Sequence, residues 1–123
     1  MRIRREMVVL DTADLDAEAA FWAAIMGGVV HGDDEGWRSV HVDGVPRLGF
    51  QLDPGHEPPR WPDGPQQQVH LDLYVDDIRE AHEEALAAGA LLLRAADDLD
   101  ASDGFQVYAD PSGHPFCLCW ESA

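Results

Sequence analysis

Apolar and polar positions alternate with a period of two in short runs of this chain and with a period near 3.6 in two longer ones, and the order of these runs repeats. The clearest run is 69–75, where Val69, Leu71, Leu73 and Val75 point one way and His70, Asp72 and Tyr74 the other. That is the pattern of a strand with one face packed against a core. The same parity puts Phe116, Leu118 and Trp120 on the packed side of a later strand and Cys117 and Cys119 on its opposite side. In the first half, Leu48, Phe50 and Leu52 oppose Gly49 and Gln51, and Val8 and Leu10 oppose Met7 and Val9. Helical spacing joins Ala17, Ala20, Phe21, Ala24 and Ile25, and again Ile78, Ala81, Ala85 and Leu86. Asp14 and Asp77 are N-caps for these two amphipathic helices, with Glu80 completing a capping-box pattern, and Gly27 and Gly89 end them.

Each half therefore reads strand, helix, three strands. After the first helix the strand runs are Val29–His31, Trp37–Val42 and Arg47–Leu52, divided by turn-rich segments 32–36 and 43–46. After the second they are Leu91–Ala95, Phe105–Ala109 and Phe116–Trp120, the last two joined by the turn 110–115. Module one spans about residues 6–53 and module two about 69–121, within a single domain of residues 1–123. The intervening 54–68 carries Pro54, Pro58, Pro59, Pro62 and Pro65 with no period, so it is a linker or lid. The class is α+β, as two tandem βαβββ modules.

Composition narrows the partners. Asp and Glu total 24 against 8 basic residues, all of them Arg, for a net charge of −16. Such a chain repels phosphate backbones and anionic headgroups, which removes nucleic acid and membrane surfaces as partners and leaves neutral or cationic small molecules open. No run approaches the roughly 20 apolar residues of a membrane helix, and the first residues are charged rather than a leader's apolar core, so a cytoplasmic location is expected. The all-Arg usage with abundant Ala, Gly and Asp points to a GC-rich bacterial source. Cys117 and Cys119, one residue apart in a strand, point the same way but stand too far apart for an unstrained disulfide, and are expected as free thiols.

The doubled pattern, with Ala20-Phe21-Trp22 to Met26-Gly27, His70-Leu71-Asp72-Leu73-Tyr74-Val75-Asp76-Asp77 and Asp110-Pro111-Ser112-Gly113-His114-Pro115-Phe116, resembles the vicinal oxygen chelate superfamily, and within it the small glyoxalase-like and bleomycin-resistance-like proteins of bacteria. The resemblance implies a curved mixed sheet with a concave cup, helices on its outer face, and a homodimer. It places the family's metal-ligand positions on Met7, Gln51, His70 and Cys117. Only His70 is a typical ligand there, because a hard divalent ion takes imidazole and carboxylate whereas Met7 and Cys117 bring soft sulfur.

The non-core face carries Met7, Gln51, His70, Asp72 and Cys117, and would line such a cup. His70 is a candidate metal ligand, general base or polar contact to a ligand, and Asp72 beside it either orients the imidazole or is a rim charge. Cys117 and Cys119 either join His70 around zinc or line the cavity. Trp37, Trp61, Tyr74 and Tyr108 are candidates to stack on an aromatic or cationic ligand. No phosphate-cradling loop or nucleophile elbow appears. The leading expectation is a protein that binds a small organic molecule through His70, Gln51, Asp72, Cys117, Trp37 and Tyr108, without a metal cofactor. The alternative is a lyase or isomerase in which His70, Gln51 and Cys117 hold a divalent metal and His70 is catalytic.

Overall fold

A computed structural model, describing Arg2, residues 4–64 and residues 70–122, starts each helix at the aspartate expected to cap it. The linker's Pro65 and the apolar-face Val69 lie outside the described residues. Asp14 accepts from the Ala17 amide ahead of α1 (Leu15–Met26), and Asp77 accepts from Arg79 and Glu80 ahead of α2 (Ile78–Ala88). These short carboxylates satisfy amides that the first helical turn leaves without partners. Gly27 and Gly89 close the two helices in the left-handed conformation.

The strands are β1 (Val8–Thr12), β2 (Val29–His31), β3 (Trp37–Val42), β4 (Val45–Leu52), β5 (Leu71–Tyr74), β6 (Leu91–Arg94), β7 (Gly104–Ala109) and β8 (Pro115–Trp120). They form two four-stranded mixed sheets with one topology, β1-β4-β3-β2 and β5-β8-β7-β6. In each, the module's first strand runs parallel to its last, and the other pairings are antiparallel. The fold is α+β with two tandem βαβββ modules, as the repeat predicts. The chain divides into two compact units, Met1–His56 and Glu57–Ala123, and the division falls inside the expected linker.

Three local expectations are corrected. β4 begins at Val45 rather than Arg47, because Asp43 (φ 51°) and Gly44 (φ 78°) alone make the reversal, so Val45 already pairs with Val42. A two-residue Asp-Gly hairpin matches the strand twist and frees the following Pro46 for the ladder. The packed stripes are corrected in both helices: Leu86 of α2 is 40% exposed, and Ala17, Ala20 and Ala24 of α1 are exposed while Leu15, Ala19 and Trp22 are buried beside Phe21. Strand pairing in module two begins at Leu71, with His70 immediately before it.

In module one, α1 packs on β3 and β4, and the core takes Phe21, Trp22, Val40, Leu48 and Phe50. Trp22 donates through Nε1 to the buried Glu18 carboxylate at 3.0 Å. In module two, α2 packs on β8, and the buried side chains include Ile78, Ala85, Tyr108, Phe116 and Leu118. The turn between β7 and β8 is built on Asp110, whose carboxylate accepts from the Ser112 and His114 amides and pairs with His114 Nδ1 at 2.7 Å. Gly113 sits in it at φ 89°, where an added Cβ would fall 2.6 Å from Cβ of Pro58. Gly113→Ala is expected to cost about 1–3 kcal/mol, read as a lower urea midpoint at unchanged slope. An unchanged midpoint would contradict this account of the turn.

Candidate functional site

Strand register assembles the site. In the parallel pair, Asp72 stands opposite Cys117 and Tyr74 opposite Cys119. On the other side of β8, Cys117 stands opposite Val107 and Cys119 opposite Phe105. Opposed residues share a face, so these six side chains, with His70 two positions before Asp72, occupy one face of the second sheet. The other face carries Tyr108, Phe116 and Leu118 and receives α2. Over the first face lies a pocket of about 480 Å³, bounded also by Trp61, Asp103 and Glu121. That volume is within the range of small-molecule sites.

At the pocket, His70 Nε2 lies 3.1 Å from Asp72 Oδ1, with both side chains about half exposed. In that setting the pair is a weak source of stability and an adaptable polar anchor. Three neutral acids share the same walls. Burial, the Asp72 charge and Cys119 push the Cys117 thiol up to about 12. Burial followed by Asp72 and Glu121 raises Cys119, and Cys119 followed by Glu121 and burial raises the Tyr74 phenol. Carboxylates crowded against a part-apolar wall disfavour further negative charge there. Cys117 and Cys119 are both free thiols, as expected.

Of the residues singled out from the sequence, His70, Asp72, Cys117, Cys119, Trp61 and Tyr74 line this pocket. Tyr108 does not: it is fully buried on the α2 face of β7, one step out of phase with the pocket-facing Val107. Gln106 Nε2 donates to Tyr108 Oη at 2.7 Å, leaving the phenol hydrogen for His82 Nδ1 at 2.8 Å. Gln106 Oε1 in turn accepts from the Ala96 amide. Tyr108 is thus tied into the core with its hydrogen bonds satisfied, rather than presented to a ligand.

Trp37 and Gln51 belong to module one, where they are register partners on β3 and β4. Asp34 positions Trp37 by accepting from the Gly36 and Trp37 amides, both at 2.8 Å, and these bonds hold its carboxyl below the usual range. The indole lies across Gly49, where an added Cβ would fall 2.4 Å from the ring, with Met7 Sδ beside it. His31 and His41 stack at 3.8 Å on the same module, and Ser39 bonds His41. Phe105, Asp103 and Glu121 are pocket residues that sequence reasoning missed. Phe105 was accessible to it, since it shares parity with Val107 and stands opposite Cys119.

On this face of the second module, three side-chain donors stand close enough to hold a metal ion. His70 nitrogen, Asp72 oxygen and Cys117 sulfur lie within 4.8 Å of one another. One imidazole, one carboxylate and one thiolate suit a borderline ion such as zinc better than a hard one, and binding would require the Cys117 proton to leave. Sequence reasoning had named His70 and Cys117 for this role but not Asp72. Gln51, the third candidate named, is a module-one residue outside this set.

The sequence matches the glyoxalase-like domain family over residues 7–119. No curated protein matches it. Among solved structures, the fosfomycin resistance protein FosX of Listeria monocytogenes (tetragonal form) superposes with a TM-score of 0.74 at 13% identity, covering 100% of this chain and 94% of that one. A glyoxalase-related enzyme from Fulvimarina pelagi gives 0.68 at 21% identity, covering 97% and 89%. The hypothetical protein SA1046 of S. aureus gives 0.69 at 15% identity, covering 98% and 95%. At these identities the likeness establishes the fold alone. Among the described residues, no helix is long and apolar enough to cross a membrane.

Proposed function

The chain belongs to the glyoxalase-like domain family, within the vicinal oxygen chelate superfamily, and on that premise we propose that it binds a small organic molecule in the pocket of its second module. The observation that carries this reading is the pocket itself: about 480 Å³, walled by aromatic and aliphatic groups, with a His70–Asp72 pair set among them. A concave, mostly apolar site with few converging polar groups is the usual form of small-molecule recognition. In this reading His70 and Asp72 fix the ligand's polar end and Cys117 is an uncharged wall.

The protein acts as a cytoplasmic homodimer in the same proposal. The exposed apolar side chains of module one, Val29 at 64% and Val45 at 56%, support a covered surface there, and sedimentation velocity tests it. The binding claim is tested by thermal shift across a broad panel of small organic compounds. At saturation a hundred-fold above Kd, a ligand stabilises by about 2.7 kcal/mol. We expect a set of hits whose shift falls by at least half in His70→Ala and Asp72→Asn. Hits that shift both variants as much as the wild type would refute the assignment of these anchors.

A second reading, a metal-dependent lyase or isomerase, is favoured by the His70–Asp72–Cys117 donor set. Such an ion would supply Lewis-acid stabilisation of negative charge developing on a bound substrate. Elemental analysis after loading with zinc, nickel, manganese or iron(II) separates the readings. One tightly held ion per chain, lost in His70→Ala, supports the metal-dependent enzyme. No retained ion supports the metal-free binding pocket.

A further inference from the structure

The pocket's electrostatics select among organic ligands. Three carboxylates, Asp72, Asp103 and Glu121, border it, and none of the chain's arginines does among the described residues. His70 is its one basic side chain, and Asp72 already engages it. Four aromatic residues also line the pocket, Trp61, Tyr74, Phe105 and Trp120. Tyr74 and Phe105 are 65% and 52% exposed, a costly arrangement for large rings. An aromatic face attracts a cation through its quadrupole, and a nearby carboxylate adds Coulomb attraction that partial desolvation strengthens. An anionic ligand would meet the same carboxylates as repulsion. The overall charge of −16 acts in the same sense at longer range.

We propose that the ligand is an organic cation, an amine or quaternary ammonium on an apolar frame, held between the rings of Tyr74, Phe105 and Trp61 and the carboxylates of Asp103, Glu121 and Asp72. This inference rests on the binding reading above and specifies the ligand class for the same pocket.

Calorimetric titration with three probes on one frame tests it: benzyltrimethylammonium, benzyl alcohol and phenylacetate. The cation is expected to bind at least about ten-fold tighter than either of the others, the ratio a partly desolvated cation–ring contact supplies. Raising ionic strength from 50 to 500 mM should narrow that ratio. Asp103→Asn with Glu121→Gln should reduce it to less than about three-fold, by weakening the cation more than benzyl alcohol. Both positions are exposed, so the fold is expected to persist, and circular dichroism checks it.

Phenylacetate or benzyl alcohol binding as tightly as the cation would overturn the charge preference and leave the pocket reading in place. Absence of saturable binding by all three would also overturn it, and the pocket reading would fall with it only if the wider thermal-shift panel were silent too. A sedimenting dimer that is lost in Tyr74→Ala and Phe105→Ala would assign the exposed rings to a second copy of the chain, and would overturn the proposal as well.

Discussion

Phe116→Ala is expected to lower the free energy of unfolding by about 3–5 kcal/mol, the range for emptying a phenyl ring from a packed core. Phe116 is 1% exposed, and its ring stacks on Tyr108 with centroids 5.5 Å apart and planes 20° from parallel. It lies on β8, which is hydrogen-bonded to β5 on one side and β7 on the other. Loss of the ring therefore loosens the strand that carries Cys117 on its opposite face. Against a total stability on the order of 5–15 kcal/mol, this removes a large share. Urea unfolding should show the midpoint fall at unchanged slope, with Phe116→Leu costing only about 1–1.5 kcal/mol because most of the volume is kept. A loss below about 1 kcal/mol for the alanine variant would mean that this face of β8 is not the core.

The second large effect is chemical. With its thiol pushed up to about 12, Cys117 has a thiolate fraction at pH 8 roughly a thousand-fold below that of an ordinary thiol at 9.0. The more basic thiolate is intrinsically more nucleophilic, which recovers roughly 20-fold, so alkylation by iodoacetamide should run about 50-fold slower than for a free thiol. The rate should rise about tenfold per pH unit from pH 8 through pH 10 without levelling, measured in a Cys119→Ala background. Asp72→Asn should speed it, because the Asp72 charge helps hold the proton on sulfur. A plateau near pH 9 would contradict this description of the pocket wall. The linked stability runs the same way. A thiol raised in the folded state favours folding below about pH 9, and that contribution is lost as pH climbs toward 12.

Both effects depend on which face a β8 side chain occupies, and that was legible in the sequence. The alternation through 70–75 and 115–120 divides Asp72 and Cys117 from Leu71, Leu73, Phe116 and Leu118, because strand parity is a local property of the chain. The helix caps at Asp14 and Asp77 were legible for the same reason. Tyr108 was not, since its chemical type argued for a ligand contact while its parity with the buried Phe116 argued for the core, and packing decided. Its partner His82 lies 26 residues away on α2, a separation at which no local period carries information. Asp103 borders β7 and Glu121 follows β8, and Trp61 sits in the aperiodic proline-rich stretch. The pocket's carboxylate rim and one of its rings therefore became visible only when the chain was folded.

The central claim, that the second module binds a small organic molecule on the His70–Asp72–Cys117 face of its sheet, is tested most directly by mapping amide chemical-shift changes as a thermal-shift hit is titrated in. The account predicts saturable changes concentrated at His70, Asp72, Tyr74, Phe105, Cys117 and Cys119, with α2 largely unmoved. Changes centred on α2 and the Gln106–Tyr108–His82 face, or none at ligand concentrations that stabilise the protein, would contradict it.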